Sequence, residues 1–229
     1  MRLIIKIALL LLVILVALFV LLGKVNRIEL VPEKSFKNSI GMEMVCLSKE
    51  YWVSKYEVTQ GQYEEVMGNN PTFHRYVGSK NPVSSVKGFE AEDFCNRLTE
   101  SEKLNNSLSD GYVYALPSFK EWLEYVADAP LEGSVTSGNY NYPHNSAFLQ
   151  PVGSGEKNRL GVYDLRGNVC EYSRDKYEKS NYIFGASWGE KRKGRLRIRN
   201  KGSYGRNDAS CDVGFRCVLV RAKKLSLEN

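Results

Sequence analysis

The pattern of apolar and polar residues divides the chain into an apolar N-terminal run, a first half with helical periodicity and a second half without it. The apolar run covers residues 7–22 without interruption. Residues 51–59 (YWVSKYEVT) alternate as a half-buried strand does. Apolar side chains recurring at helical spacing predict a helix over about 88–103. After Ala129 no helical period recurs, and frequent Gly, Asn, Ser and Pro indicate loops with short strands.

Two capping boxes predict further helix starts. Thr59 precedes Gln62 by three residues, and Ser118 precedes Glu121 in the same way. In a capping box, each of the two side chains accepts a hydrogen bond from the backbone N–H of the other residue. The first of these helices is expected to end at residues 68–71 (GNNP), where Gly and Pro stop a helix. The sequence therefore predicts an α+β domain with two or three helices in its first half and irregular β-rich structure in its second.

The N-terminal run predicts insertion into a membrane and export of the rest of the chain. Its 16 residues are long for the core of a cleaved signal peptide and short for a comfortable span. Leu21 and Gly23 stand where a small-x-small cleavage site would be needed, so an uncleaved signal anchor is favoured over a cleaved signal. Either one places the domain on the periplasmic or extracellular side. The predicted organisation is a signal anchor or transmembrane helix over 1–23, a linker over 24–37, a folded domain over 38–222 and a polar tail over 223–229.

The positive charge of the chain is concentrated in residues 185–200 (GASWGEKRKGRLRIRN). This stretch holds six Lys or Arg and one Glu, and so carries +5 of the formal net charge of +6. The remainder is nearly neutral, which argues against a general polyanion-binding protein, and no nucleic-acid partner is expected. Its end, RLRIR over 195–199, alternates as a half-buried strand should, with Leu196 and Ile198 inward and the three arginines, Arg195, Arg197 and Arg199, outward.

The cysteines and histidines do not indicate a zinc site. The chain has five cysteines and two histidines, and no two cysteines have the C-x-x-C spacing of a zinc cluster. Export permits disulfides, and an odd number of cysteines leaves at least one thiol unpaired. Any single cysteine can equally be a small buried apolar side chain.

Five blocks in a fixed order carry a resemblance to a known family. They are VSKYEVTQGQY, NPVSSVKGFEAEDFCNRL, LPSFKEWLEYVA, NRLGVYDLRGNVCEY, and a last block that runs from GASW to DVGFRC. Together, over about residues 38–220, they resemble the formylglycine-generating enzymes, also called sulfatase-modifying factors. The resemblance implies an irregular, loop-rich variant of the C-type lectin fold. It also implies an oxygen-dependent oxidation of a sulfatase cysteine to formylglycine, performed by two cysteines that bind copper(I).

The chain departs from this family at the two catalytic cysteines. When GASW is matched to the family's Gly-Gly-Ser-aromatic block, their positions are occupied by Glu190 and Arg195, and no cysteine occurs between residues 171 and 210. Copper(I) selects soft thiolates, and an arginine does not ligate a metal. Copper and formylglycine generation are therefore not expected.

The former active-site groove is predicted to bind a ligand instead. Its expected lining is Ser187, Trp188, Glu190 and Arg195, and the expected ligand is a peptide, protein or glycan. The prediction is a membrane-anchored, exported and non-catalytic binding or scaffold module of the cell envelope. The alternative is a formylglycine-generating-type oxidase, or another oxidoreductase of the family, with a diverged active site.

The resemblance further implies structural calcium. The matching ligands are the side chains of Asp164 and Glu171 and the carbonyls of Gly167 and Val169. Two carboxylates with backbone carbonyls suit a hard cation. The alternative is that the two carboxylates cap turns or face water. A second calcium site of the family would use Asn139 and Tyr140, although the sequence offers no identifiable acidic partner for it.

The resemblance also implies one disulfide. Cys95 and Cys217 match two positions that pair in some family members. A bond that closes such a long loop is credited with roughly 4–5 kcal/mol by entropy models. Two buried free thiols are the alternative.

Overall fold

The computed structural model describes residues 34–126, 128–137, 148–196 and 202–225. The chain divides into two units, Met1–Val31 and Pro32–Asn229, and the first lies wholly outside the described residues. The predicted N-terminal helix, Asn139 and Tyr140 are therefore outside them too. Within the described ranges, no helix is both long enough and apolar enough to span a bilayer.

Two β-sheets form the frame of the second unit. The first has the strand order β1-β2-β3-β9-β4 and is antiparallel throughout. The second has the order β7-β6-β5-β8, and only its β5–β8 pair is parallel. The strands are β1 (Phe36–Lys37), β2 (Glu43–Ser48), β3 (Tyr51–Ser54), β4 (Tyr112–Ala115), β5 (Cys170–Tyr177), β6 (Ser180–Phe184), β7 (Gly202–Gly205), β8 (Val213–Gly214) and β9 (Val218–Arg221).

Two of the helices begin where the capping boxes predict. The Thr59 side chain accepts the backbone N–H of Gln62, which completes the first capping box. Ser118 and Glu121 make the reciprocal bonds of the second, at 3.0 and 3.2 Å. The helices are α1 (Gln60–Met67), α2 (Gly88–Leu104), α3 (Phe119–Val126) and the short α4 (Ala222–Leu225). The mixed, sheet-rich fold with few helices confirms the predicted α+β class.

An aromatic core joins α3 to the second sheet. Trp122 stacks on Phe184 with ring centroids 5.3 Å apart, and it meets Tyr125 edge-on. All three side chains are buried. Because burying one such side chain contributes about 1.5–3 kcal/mol, this contact fixes the end of β6, from which residues 185–190 leave the sheet.

The structure differs from the predictions at three chain segments. Phe36 and Lys37, assigned to the linker, pair with Met44 and Glu43 as β1. The polar tail begins inside α4, whose Lys224 donates to Glu121. The strand predicted over 195–199 is wrong at its start, because residues Lys193–Leu196 form a 3₁₀ turn. Ile198, Arg197 and Arg199 lie outside the described residues.

Candidate functional site

A polar pocket of about 360 Å³ lies beside β5 and β6. Its walls include Cys170, Ser187, Glu190, Arg195, Tyr204 and Asp212. Three of the four residues predicted to line the groove are therefore brought together here. The small side chain of Cys170 borders the pocket.

The turn that leads into the pocket has an unusual backbone. Gly185 has φ +86°, and Ala186 has φ +60°. The left-handed region is free for glycine but strained for alanine by roughly 1–2 kcal/mol. Ala186 stands where the family has its second glycine, and it keeps a backbone that glycine adopts without strain. The conformation places the side chain of the next residue, Ser187, in the pocket wall.

Glu190 and Arg195, the two positions that the resemblance assigns to the catalytic cysteines, form an ion pair. Arg195 Nε lies 3.8 Å from Glu190 Oε2. Glu190 Oε1 accepts the backbone N–H groups of Lys191 and Arg192 at 3.1 and 2.9 Å. Burial raises the pKa of Glu190, but the N–H of Arg192 and the Arg192 and Arg195 cations lower it by more, so the pKa lies below its usual value. The carboxylate is therefore ionised at neutral pH.

Ser187 and Asp212 form the opposite polar wall. The Ser187 hydroxyl donates to Asp212 Oδ2 at 2.9 Å, and the Ser210 hydroxyl donates to Asp212 Oδ1. Burial, followed by the charge of Asp212, raises the pKa of Cys170 well above its usual range. A protonated thiol is a poor nucleophile and a poor metal ligand. Among the described residues, no three His, Cys, Asp or Glu side chains are placed to hold a metal ion.

Trp188 lies outside this pocket, on its neighbouring surface. Its backbone is held on both sides, because Trp188 N–H donates to the carbonyl of Asn168 at 2.7 Å and its carbonyl accepts from Ser137 at 2.6 Å. Its ring contacts Tyr76 and Phe148, with centroids 5.7 and 6.2 Å apart. The predicted groove residues thus divide between a polar pocket and an aromatic surface.

A second glutamate–arginine pair occupies the core, next to the predicted calcium ligands. Both oxygens of Glu171 accept from Arg216, at 2.6–2.8 Å. Arg216 is fully buried, and two of its other N–H groups donate to the carbonyls of Ser54 and Tyr163 at 3.1 and 2.9 Å. Burial lowers the pKa of Arg216, but Glu171 raises it by more, so the guanidinium stays charged.

The donors around Asp164 and Glu171 do not fit calcium as the chain is folded. The Asp164 carboxylate accepts the backbone N–H groups of Gly153 and Gly155, and Glu171 is saturated by the guanidinium of Arg216. A cation at either carboxylate would face positively polarised donors. Calcium binding through these side chains and the carbonyls of Gly167 and Val169 therefore stays a prediction of the resemblance alone.

The loop between Asp164 and Glu171 closes tightly around Gly167. Gly167 has φ +99°, and a Cβ there would lie 2.4 Å from the carbonyl oxygen of Val135. Buried Glu57 accepts Asn168 Nδ2 at 2.8 Å and Val169 N–H at 3.1 Å. These contacts hold the loop in place.

Cys95 on α2 and Cys217 just before β9 come together in the core. Their sulfurs are 3.7 Å apart, and both side chains are buried. Burial raises the pKa of the Cys95 thiol well above its usual range. The resemblance thus pairs two cysteines that the fold brings into contact, and the bond itself stays a prediction.

The sequence reasoning missed Asp212, Tyr204, Glu57 and Arg216. Arg216 belongs to the GFRC block, so its place was visible, but its partner lies 45 positions away. Asp212 stands beside Cys211 with no local pattern that marks it. The contact of Arg216 with Glu171 and the place of Asp212 beside Cys170 both arise because the parallel strands β5 and β8 lie side by side, with Cys170 opposite Val213.

Comparisons with known proteins agree with this architecture. The family model of the sulfatase-modifying factor enzyme 1-like domain matches residues 23–221. The chain is 29% identical over 190 residues to the chaperone protein LppX of Paenibacillus barcinonensis, covering 61% of this chain and 66% of that protein. It is also 29% identical over 130 residues to the mouse inactive C-alpha-formylglycine-generating enzyme 2, covering 45% of this chain and 42% of that one. The chain thus spans less than two thirds of the length of each relative.

Two solved structures share the fold. PvdO from Pseudomonas aeruginosa has a TM-score of 0.67 at 20% identity, over 82% of this chain and 98% of that chain. Variable protein 1 of Treponema denticola has a TM-score of 0.58 at 19% identity, over 82% and 94%. At such identities the likeness concerns the fold and not the activity.

Proposed function

We propose that this chain, which belongs to the sulfatase-modifying factor enzyme 1-like domain family, is a non-catalytic binding module of the cell envelope, exported and held by its N-terminal apolar run. The loop-rich C-type lectin variant that the resemblance implies is part of this proposal. So is the location of the domain on the periplasmic or extracellular side. The mouse relative is by name inactive, which agrees with a family member that has lost its chemistry.

The observation that carries the proposal is the Glu190–Arg195 ion pair. The family reaction needs two thiolates that bind copper(I) at these positions. Here one position holds an ionised carboxylate and the other a guanidinium that pairs with it, 3.8 Å away. The frame around them is kept, since Ser187 still lines the pocket and the turn at Ala186 keeps its left-handed backbone. The fold is thus retained while the redox ligands are replaced.

A polypeptide is the ligand that the surroundings favour. The relative from Paenibacillus is by name a chaperone, and a chaperone's ligands are proteins. The pocket offers charges of both signs, Asp212, Glu190 and Arg195, next to the ring of Trp188. Such a mixture of charged and aromatic groups suits peptide side chains and a polar backbone.

The export half of the proposal is tested by fractionation of cells that express the full chain. The chain should sediment with membranes after a high-salt wash, and protease added to the outside of spheroplasts should degrade the domain. A cytosolic protein used as a control should survive that protease. A chain that remains in the soluble cytosolic fraction would contradict the proposal. An oxidase with a diverged site is the alternative function, and aldehyde formation on a sulfatase-type peptide would favour it.

A further inference from the structure

A patch of aromatic side chains from three separate chain segments lies next to the polar pocket. It consists of Phe73, Tyr76, Phe148 and Trp188, and is called the aromatic patch below. Tyr76 is its centre, with ring centroids 6.1 Å from Phe73, 5.9 Å from Phe148 and 5.7 Å from Trp188. Aromatic rings at such distances attract one another, so the patch is a surface already formed in the folded domain.

The patch is exposed although its residues are large and apolar. Phe73 is 49% exposed and Phe148 is 45% exposed, and Val77, the neighbour of Tyr76 in the chain, is 61% exposed. Elsewhere in the described ranges the large exposed apolar side chains are scattered over other elements, as Leu104 on α2 and Tyr177 on β5 are. A contiguous exposed apolar surface is the usual mark of an interaction site.

The backbone under the patch is held firmly. The carbonyl of Tyr76 accepts from Gln60 Nε2 at 2.9 Å and from Asn81 Nδ2 at 3.1 Å. The backbone of Trp188 is bonded to Asn168 and Ser137. A rigid patch loses little conformational entropy when a partner binds.

The chain segment that carries Phe73 and Tyr76 has charge of one sign. No acidic residue occurs between Glu65 and Glu90, whereas Arg75 and Lys80 lie in that stretch. Both cations are exposed, and within the described residues no carboxylate pairs with either. The segments around Phe148 (148–152) and Trp188 (185–189) carry no charge. The side of the patch formed by Phe73 and Tyr76 is therefore positive, and charge complementarity there selects an acidic partner.

We infer that the aromatic patch is a docking surface for an acidic polypeptide segment that carries an aromatic or large aliphatic side chain beside its carboxylates. The inference rests on the proposed binding function and gives the chemistry of its partner. The apolar side chain packs on Phe73 and Tyr76, while the carboxylates of the segment lie near Arg75 and Lys80. A neutral glycan could stack on the rings, but it would make no use of the two cations.

The test measures binding of a defined peptide to the full chain in nanodiscs of zwitterionic lipid. The probe is fluorescein-labelled Asp-Glu-Phe-Glu-Leu-Asp-Phe-Glu, followed by fluorescence anisotropy at low and high salt. One control peptide has Ser in place of Phe and Leu, and a second has Lys in place of every acid. Only the first probe should bind, and its affinity should fall as salt is raised, since the cations are exposed.

Two variants and two matched controls locate the binding. Phe73→Ser removes the exposed ring and Arg75→Glu reverses a rim charge, and each should weaken binding by about tenfold, as for a residue central to an interface. Leu104→Ser and Lys49→Glu make the same kinds of change at exposed positions on other elements, the end of α2 and the turn between β2 and β3. These two should bind within about twofold of the natural chain. Circular dichroism checks that all four variants are folded.

Each other outcome overturns the inference. Binding that Phe73→Ser and Arg75→Glu leave unchanged would put the peptide elsewhere, while the proposed binding function would stand. Equal binding of the Ser-substituted or Lys-substituted peptide would remove the assigned chemistry. Binding of chitohexaose that depends on Phe73, without binding of the peptide, would make the ligand a glycan. Absence of binding by every probe would also overturn the inference. Failure of the proposed function itself would be seen separately, as aldehyde formation on a sulfatase-type peptide or as a chain in the cytosolic fraction.

Discussion

Two glutamate–arginine pairs in this domain, Glu171–Arg216 and Glu190–Arg195, share their chemistry but lie in different surroundings. The first is fully buried, has contacts of 2.6–2.8 Å, and Arg216 also donates to two backbone carbonyls. The second has a contact of 3.8 Å, and the Arg195 side chain is 57% exposed. Removal of one partner from a buried pair strongly destabilises the fold, because the other partner is left as an unpaired buried charge.

The two pairs are expected to differ in what they contribute to the stability of the fold. An exposed pair contributes about 0–1 kcal/mol, because water screens it. The core pair thus stabilises the fold, while the groove pair lies at the two positions that the resemblance assigns to the catalytic cysteines, and we propose that it contributes to ligand binding.

The largest expected effect comes from breaking the core pair. Arg216→Met should lower the free energy of unfolding by about 3–5 kcal/mol, because it leaves Glu171 as a buried unpaired carboxylate. The matched change in the groove, Arg195→Met, should lower it by no more than about 1 kcal/mol. Thermal unfolding of the full chain, followed by near-UV circular dichroism, measures both. Equal losses in the two variants would remove the distinction between the pairs.

The next effect concerns the thiols beside the core pair. If Cys95 and Cys217 join when the chain folds under oxidising conditions, the domain should unfold at higher temperature than in reductant, by the equivalent of about 2–4 kcal/mol. Cys95→Ala should abolish this difference. Cys46→Ser, at a half-exposed thiol, should leave it intact. An oxidised chain that shows no mass change for the Cys95 and Cys217 peptides would mean that the two thiols stay free.

A smaller effect is expected at the groove. Ala186→Gly relieves the left-handed strain at φ +60°, although glycine also makes the unfolded chain more flexible. The net result should be a gain of about 0.5–1 kcal/mol in the free energy of unfolding. Ala222→Gly, in the short helix α4, is the control and should not stabilise. A loss of stability in Ala186→Gly would contradict the account of this turn.

The smallest effect is expected for calcium. Since the carboxylates of Asp164 and Glu171 are already engaged by N–H donors, calcium and chelator should give the same melting temperature. A shift of several degrees in calcium, abolished in Asp164→Ala, would show that these contacts open to admit the ion. That result would restore the calcium site that the resemblance implies.

Local sequence signals predicted where two helices start. The other features depend on contacts between residues that lie far apart in the chain. The capping boxes at Thr59 and Ser118 were readable because all their bonds span three residues. The strand predicted at Arg195 was wrong because alternation alone does not distinguish a strand from a 3₁₀ turn. Leu196 is buried as predicted, but through that turn, whose last carbonyl accepts from Arg166.

Three of the residues that line the pocket were among those predicted from the sequence, but their spatial arrangement was not predictable. The resemblance placed Ser187, Glu190 and Arg195 together, and they do line one pocket. It did not reveal that Trp188 faces Tyr76 and Phe148, because the contact with Tyr76 joins segments more than a hundred residues apart. Nor did it reveal Asp212, whose place in the wall depends on the pairing of β5 with β8.

The most direct test of the central claim is an oxidation assay on the groove. The full chain is co-expressed in air, with copper supplied, with a peptide that carries the sulfatase Cys-x-Pro-x-Arg motif, and the peptide is weighed. An active formylglycine-generating enzyme serves as the positive control. With Glu190 and Arg195 in place of the two thiolates, the mass of the peptide should remain that of the cysteine form. A mass loss corresponding to conversion of the cysteine to an aldehyde, dependent on this chain, would contradict the account.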